Sequence, residues 1–306
     1  MSSAPVGVVL VEGLSPKPLR IVTPLGIRFR DVSLDKPITD GLVVLVKARH
    51  LDDSPRPLAA NPSGVFGFHS LPLLHDVEYP SDSRASISRA PTAFVVMVAD
   101  RLSRFLPVVF SVELPLAAAI SPPVFDLDPD PAPVLDAYLF SAPTRPVTSG
   151  FAAVRADLRD RDTDTPAAHA LVRVTLANRS LLGTADEQGR VLILLPYPLL
   201  ERLRLGSPPG TGQQPPYQQS WPVSVDVWYR PDLAKPFGTA TVLPPPWTTL
   251  PGLKGILEGQ DRALIWPTLA GPSVTTWASN LTYDHELVVR TETTSQLWIS
   301  RGVSPP

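Results

Sequence analysis

Proline is the residue that most restricts the fold of this chain, which contains 38 prolines in 306 residues. Because proline has a fixed φ and no backbone N–H, it interrupts helices and central strands alike. Prolines in this number must lie in turns, at sheet edges and in linkers between many short strands. The sequence therefore predicts an all-β fold and excludes an all-helical one.

The length of the chain predicts more than one domain. At 306 residues it exceeds the usual size of a single compact domain, so we expect two or three. A chain of this length can bury enough surface to fold without disulfides or metals, and it contains no cysteine. The lack of cysteine fits synthesis in a reducing compartment.

An internal repeat organises the chain. Residues 27–46 and 156–174 share one pattern. In each, an aspartate is followed six residues later by a proline and then by an apolar, strand-like segment. The matched landmarks are Asp31, Pro37 and Gly41 in the first copy, and Asp160, Pro166 and Ala170 in the second. The spacing predicts a register without gaps between the two copies.

Each copy continues into a turn with the same chemistry. An asparagine or aspartate precedes a glycine by three residues, as Asn61 and Gly64 in the first copy and as Asp186 and Gly189 in the second. Such a side chain can accept hydrogen bonds from the backbone just ahead, and glycine tolerates a positive φ where the next strand begins. Apolar segments on both sides make each unit a strand, turn, strand element.

The repeat units resemble the carboxypeptidase regulatory-like and transthyretin-like β-sandwiches. In that family a proline and a small residue precede an apolar strand, which leads to a T-x-D-x-x-G turn and a second apolar strand. The second copy carries the turn at residues 184–189, and the first has Asn61-Pro-Ser-Gly64 in its place. The resemblance covers residues 27–72 and 156–196, and it implies an Ig-like Greek-key sandwich of about seven strands and about 100 residues for each copy.

These observations predict four regions. We expect a first sandwich over residues 1–120, a proline-rich linker over 121–150, a second sandwich over 151–232 and a tryptophan-rich C-terminal β region over 233–306. The linker is acidic as well as proline-rich, so we expect it to be extended and stiff. The C-terminal region, with a short helix expected over residues 253–258, is either a third module or an extension packed against the second sandwich.

The sequence shows no set of residues that specifies a reaction. It has no G-x-S-x-G elbow and no G-x-x-x-x-G-K phosphate loop. His285 begins an H-E-x-x-H pattern, but Val289 replaces the second histidine, and the spacing of His69 and His75 does not fix them on one face. The remaining histidines, for which we expect ordinary surface or core positions, are His50 and His169. We predict no catalytic, cofactor-binding or metal-binding residues.

Two runs of alternating aspartates raise the question of calcium, because this ion binds several carboxylate oxygens in one loop. Neither run has the glycine and glutamate that an EF-hand loop needs at its sixth and twelfth positions. An irregular calcium site and solvated turn carboxylates are the two remaining interpretations, and we favour the second. The runs are Asp126, Asp128 and Asp130, and Asp160, Asp162 and Asp164.

Tryptophan is confined to the last third of the chain, where all six residues lie after position 220. Large aromatic rings stack on sugars and anchor protein interfaces. We predict Trp247, Trp266 and Trp277 as a candidate interface. Core filling is the alternative for Trp266, and it is the role we expect for Trp228. Trp247, in a proline-rich loop, is the best candidate for an exposed contact.

Charge and hydropathy restrict the partners. The net charge is −2 and the basic residues are scattered, so we expect no nucleic-acid partner. The apolar segments are short or interrupted, which predicts no membrane insertion. The first residues lack a basic start and a cleavage-like site, which predicts synthesis in the cytoplasm without a signal peptide.

Three classes of function remain. The first is a non-catalytic structural or adaptor subunit that binds other protein subunits of a larger assembly. Residues 104–107 and 140–146 resemble parts of proteins that accompany phage-tail-like contractile injection particles, which implies a component of such a particle, released with it. The second class is a carbohydrate-binding or surface-adhesion module. The third is an accessory domain of an enzyme, which would need a cleft joining a histidine to two carboxylates.

Overall fold

The computed structural model describes residues 25–51, 54–74, 92–114, 134–198, 219–234, 236–237, 243–244 and 247–302. Within these ranges the chain is almost entirely β-structure, with one α-helix, α1 (Leu253–Glu258), and one 3-10 turn (Pro231–Ala234). The predicted all-β class is confirmed, and α1 lies where the sequence predicts a short helix. No helix in the described ranges is long and apolar enough to cross a membrane.

The first sandwich is formed by two sheets. Its strands are β1 (Gly26–Asp31), β2 (Lys36–Pro37), β3 (Leu42–Ala48), β4 (Arg56–Leu58), β5 (Val65–Gly67), β6 (Thr92–Asp100), β7 (Val108–Leu114) and β8 (Val134–Leu139). In one sheet β1 pairs antiparallel with β2 and β5 and parallel with β8. The other sheet is antiparallel in the order β4-β3-β6-β7. Phe29, Val44 and Phe94 are buried between the sheets. Strand β7 begins after Pro107 and is the last strand in this order, at the edge of the sheet.

The second sandwich is built in the same way. Its strands are β9 (Phe151–Asp160), β10 (Thr165–Pro166), β11 (Leu171–Leu176), β12 (Arg179–Thr184), β13 (Arg190–Pro196), β14 (Ser220–Trp228), β15 (Leu264–Trp266), β16 (Trp277–Thr282), β17 (Leu287–Val289) and β18 (Leu297–Ser300). Strand β9 pairs antiparallel with β10 and β13 and parallel with β17 and β18. The opposite sheet is antiparallel in the order β12-β11-β14-β16.

The predicted repeat therefore extends to the whole topology. Strands β9 to β14 take the positions of β1 to β6, β16 takes that of the edge strand β7, and β17 and β18 take that of the parallel strand β8. The second copy differs by an insertion, residues 229–276, between the strands that correspond to β6 and β7. The insertion contains α1 and also β15, which pairs with β18.

The turns of the two copies also match. Asn61 Oδ1 accepts hydrogen bonds from the backbone N–H groups of Ser63 and Val65, and Asp186 Oδ1 accepts those of Gln188 and Arg190, all at 2.8–3.0 Å. The glycine that follows has a φ of 76° in the first copy and 79° in the second. The predicted turn chemistry is confirmed.

The two copies also share a second turn, which the sequence pattern did not predict. Arg30 Nε donates to Asp35 Oδ1 at 3.0 Å, and Arg159 Nε donates to Asp164 Oδ1 at 2.5 Å. Both aspartates have a left-handed φ, of 52° and 53°. Asp164 is thus an arginine partner in a turn, which agrees with the interpretation of the second aspartate run as turn carboxylates.

The prediction that the two copies align without a gap is wrong in one place. Successive side chains along a strand point to opposite faces of the sheet. The first buried valine of this alternation is Val44 in β3 and Val172 in β11. The left-handed residue that precedes each strand is Gly41 in the first copy and His169 in the second. The structure therefore equates Gly41 with His169 rather than with Ala170, because the first copy has one additional residue in this loop.

Two predicted boundaries need correction. The linker predicted over residues 121–150 is wrong for residues 134–139, which form β8 and bury Leu135 and Leu139 in the first core. Of the two alternatives for the C-terminal region 233–306, the structure favours the extension of the second sandwich, since Ile265, Leu281 and Ile299 belong to the second core. The proline-rich sequence that precedes β8 concealed this strand. The proline-rich run 121–133 lies outside the described residues.

Candidate functional site at the junction of the two sandwiches

The insertion of the second copy reaches back to the first sandwich. We call residues 243–244 and 247–252 the strap. Leu243, Trp247 and Leu250 of the strap are buried in one cluster with Val95, Met97 and Val109, which lie on the outer face of the sheet β4-β3-β6-β7. The strap therefore covers an apolar sheet face that would otherwise lie against solvent.

Helix α1 continues this connection. Gly252 forms a β-bridge with Val109 of the edge strand β7, and Leu253 is buried in the core of the first sandwich. Beyond the helix, the side-chain amide of Gln260 donates to the backbone oxygen of His169 in the second sandwich at 2.8 Å. The strap and α1 thus contact both sandwiches and hold them together.

A cavity of about 250 Å³ lies at this junction. One wall is apolar and consists of residues 106–109 together with Leu250, Leu253 and Ile256. The other wall is polar and belongs to the second sandwich, which contributes His169, Thr184 and residues 186–188. We call this space the junction cavity.

Two residues of the polar wall are buried, His169 and Thr184, whereas Glu187 and Gln188 are exposed. His169 is 8% exposed and Thr184 is 4% exposed. Burial lowers the pKa of His169, while Glu187 and Asp186 act in the opposite direction. The hydroxyl of Thr249, in the strap, donates to Glu187 Oε1 at 3.0 Å. The histidine is therefore neutral at pH 7 and can accept a hydrogen bond as well as donate one.

The junction cavity is lined by one histidine and two carboxylates, His169, Asp186 and Glu187. This is the arrangement that the hypothesis of an enzyme accessory domain requires. Asp186, however, accepts two backbone N–H groups and the guanidinium of Arg190, with Arg190 Nη2 at 2.8 Å from Oδ2. Asn61 makes the same backbone bonds in the first copy, so Asp186 has a role in turn structure. In the described part of the chain, no group of three or more His, Asp or Glu side chains could hold a metal ion.

Beside the cavity, the two segments that resemble injection-particle proteins form one unit. Leu106 N donates to Phe140 O, and Ala142 N donates to Arg104 O, both at 2.9 Å. Arg145 connects this unit to β1, because its guanidinium donates hydrogen bonds to both carboxylate oxygens of Asp31, at 3.1 and 2.5 Å. The guanidinium also lies 4.9 Å from the centre of the Phe105 ring.

The predicted exposed contact at Trp247 is wrong. Trp247 is 6% exposed, and its Nε1 lies 3.5 Å from the backbone oxygen of Val98. The proline-rich loop that suggested exposure is the strap, and it holds the ring against the first sandwich.

Trp266 and Trp277 are half-buried on different strands of the second sandwich. The guanidinium of Arg161 lies 3.5 Å from the centre of the Trp266 ring, and Trp266 Nε1 donates to Ser300 Oγ at 3.1 Å. Trp277 packs against the second core. The structure does not bring Trp247, Trp266 and Trp277 together as one interface.

An aromatic cluster that sequence reasoning missed lies at one end of the second sandwich. The ring of Tyr197 is 5.6 Å from that of Trp221 and 4.8 Å from that of Tyr283. The Tyr197 hydroxyl accepts the backbone N–H of Asp284 at 2.9 Å. The three residues are far apart in sequence, and no local pattern connects them.

The remaining candidates are dispersed. His50, His69 and His285 are exposed at separate places, and His75 lies outside the described residues. Asp160 is buried and accepts hydrogen bonds from Thr163 Oγ1 and from the backbone of Asp162, as a turn residue does. The run Asp126, Asp128 and Asp130 also lies outside the described residues.

No protein-family model matches the chain, and no match was found among curated proteins. Among solved structures it is similar to the Bacillus anthracis TIE protein, at 10% identity over 85% of this chain and 43% of that chain, with a TM-score of 0.23. It is also similar to the shaft pilin SpaA from Lactobacillus rhamnosus GG, at 8% identity over 92% of this chain and 98% of that chain, with a TM-score of 0.23. A third is GBS52, the minor pilin of Streptococcus agalactiae, at 9% identity over 92% and 97% of the two chains, with a TM-score of 0.21. Identities and TM-scores this low transfer no function.

Proposed function

We propose that this chain is a non-catalytic structural or adaptor subunit of a larger protein assembly. The observation that carries the proposal is the strap, a segment from within the second sandwich that covers an outer face of the first. Domains joined by a buried apolar contact tend to keep one relative orientation, whereas small polar interfaces allow domains to move. A fixed two-domain spacer suits a subunit that sets distances in an assembly.

The sheet edges support the same proposal. In the first sandwich the edge strand β7 is bridged at Val109 by Gly252, so the second copy covers part of this edge. The corresponding strand β16 ends the order of its sheet in the described part of the chain. It contains neither proline nor lysine, the residues that commonly protect edges. A partner subunit could add a strand to β16 through backbone hydrogen bonds.

Within this class, a phage-tail-like contractile injection particle is the specific assembly we propose. Its basis is the resemblance of residues 104–107 and 140–146, which form one hydrogen-bonded unit in this fold. Neither alternative class gains comparable support. Arg161 already covers one face of the Trp266 ring, and Asp186 beside His169 is occupied by its own turn and by Arg190.

The test is affinity purification of the tagged chain from its native host, followed by mass spectrometry and measurement of the complex mass. We expect a stoichiometric complex with other proteins, containing particle components if the specific proposal is right. Ala278→Lys places a charge on the exposed edge strand β16 and should weaken the complex. Ser111→Lys on β7 is the matched control and should not. Efficient turnover of a small substrate by the purified chain would contradict the proposal.

A further inference from the structure

We propose that the junction cavity binds a small alkylammonium compound, with its ammonium group on the polar wall and its apolar chain against the first sandwich and α1. The polar wall includes His169, Thr184 and Glu187, and the apolar wall includes Val109, Leu253 and Ile256. This site does not depend on the assembly role proposed above.

The size of the cavity suits such a ligand. An apolar cavity of about 150 Å³ is large enough to bind benzene. The junction cavity measures about 250 Å³, which leaves room for a chain of about six carbons and a polar head. Sites for small ligands occur preferentially at domain interfaces and combine mostly apolar walls with a few polar groups. The junction cavity has both properties.

The Thr184 hydroxyl supplies the first independent observation. Thr184 is 4% exposed, and its Oγ1 has no hydrogen-bond partner among the described residues. A buried hydroxyl without a partner is costly, and native proteins nearly always satisfy such groups. Thr184 lines the junction cavity, but Oγ1 itself has almost no accessible surface, so a ligand there can donate a hydrogen bond to this oxygen once the side chain turns toward the cavity.

The backbone conformation of His169 is the second independent observation. It has a φ of 59° at the position where the first copy has Gly41, with a φ of 76°. A left-handed conformation is unfavourable for residues with a Cβ and is easily adopted by glycine. Backbone strain of this kind often accompanies a binding role. Here the strained position places an imidazole on the cavity wall in place of a hydrogen atom.

The charge of the lining favours a cation. The described residues that line the cavity include two carboxylates, Asp186 and Glu187, and neither lysine nor arginine. Arg190 pairs with Asp186 from outside the lining. The contact of Glu187 is with the neutral hydroxyl of Thr249, so its charge remains available to an ammonium group.

The first copy shows that these polar groups are not needed for folding. The turn of the first copy has Ala59 where the second has Thr184, and its loop has Gly41 where the second has His169. The cavity wall can therefore be changed to the residues of the first copy with the fold retained. Thr184→Ala and His169→Gly are the two variants that do so.

The experiment is calorimetric titration of the full chain at pH 7 with three probes of similar shape, hexylammonium, hexan-1-ol and hexanoate. We expect one molecule of hexylammonium to bind per chain, hexan-1-ol to bind at least about tenfold more weakly, and hexanoate not to bind, since charge-assisted hydrogen bonds are the strong ones. Thr184→Ala should weaken hexylammonium binding about tenfold. Glu187→Gln should remove the preference for hexylammonium over hexan-1-ol.

Two controls keep the result interpretable. Glu113→Gln removes an exposed carboxylate on β7 that does not line the cavity, and it should leave hexylammonium binding unchanged. His169→Gly should retain the unfolding midpoint of the parent chain while weakening hexylammonium binding. The proposal is overturned if hexylammonium shows no saturable binding, if hexanoate binds equally well, or if Thr184→Ala and Glu187→Gln have no effect.

Discussion

Replacing Trp247 with alanine should release the strap from the first sandwich and destabilise the chain by about 3–5 kcal/mol. The Trp247 side chain is 6% exposed, so the variant returns nearly all of its apolar surface to a cavity or to water. An aromatic side chain buries about 200 Å², which corresponds to about 5 kcal/mol at about 25 cal/mol per Å². The indole contact with Val98 O, at 3.5 Å, is long for a hydrogen bond and adds little.

The suitable assay is urea denaturation followed by far-ultraviolet circular dichroism, because the substitution removes one of six tryptophan fluorophores. At an m value of about 2.5 kcal/mol/M, the expected loss lowers the midpoint of the first unfolding transition by about 1–2 M. We also expect the variant to unfold in two transitions, since each sandwich has its own core and the strap no longer joins them.

Two variants at the same place make the result specific. Trp247→Phe keeps an aromatic ring under the strap and should lose less than half as much stability as Trp247→Ala. Thr248→Ala changes an exposed neighbour and should have almost no effect. If Trp247→Ala unfolds at the same urea concentration as Thr248→Ala, the strap does not hold the two sandwiches together and our reasoning about the junction is wrong.

Two further predictions concern other buried polar groups. Arg145→Ala leaves Asp31, which is 3% exposed, without its bidentate partner and should cost about 3–5 kcal/mol in urea denaturation. Arg159→Ala breaks a more exposed pair and should shift the urea midpoint much less than Arg145→Ala does; equal shifts would contradict the argument. Burial, together with the charge of Asp160 and a hydrogen bond to it, raises the pKa of Tyr229 to about 12. Since the ordinary value is 10.0, the unfolded chain releases this proton first, and stability should fall as the pH rises from 10 to 12. Tyr229→Phe should remove that part of the pH dependence, and an unchanged profile would refute the assignment.

Local chemistry explains why so much of the fold could be predicted. The turns at Asn61 and Asp186 depend on a side chain that accepts backbone hydrogen bonds within a few residues, so their spacing is visible in the sequence. Alternation along the strands then fixes which face is buried. The additional residue before Gly41 escaped notice because a one-residue shift in a loop leaves the local pattern of each copy intact, and only the pairing of strands reveals it.

The contacts that form the junction are non-local, which is why the sequence did not predict them. Trp247 is buried by residues about 140 positions earlier in the chain, and nothing near it in sequence indicates a sheet face that it could cover. Strand β8 pairs parallel with β1 across about 100 residues, so no turn connects them and no hairpin signal exists. The polar wall of the junction cavity became apparent only when His169 and Thr184 were placed beside α1.

The position of the strap within the second sandwich has a consequence for biosynthesis. About 140 residues separate Val109 from Leu250, so at about 5–20 residues per second a ribosome needs about 7–30 s to make the cover for the outer sheet face of the first sandwich. During that time Val95, Met97 and Val109 are without the strap that buries them in the finished protein. The nascent first sandwich therefore exposes this apolar sheet face until the strap has been translated.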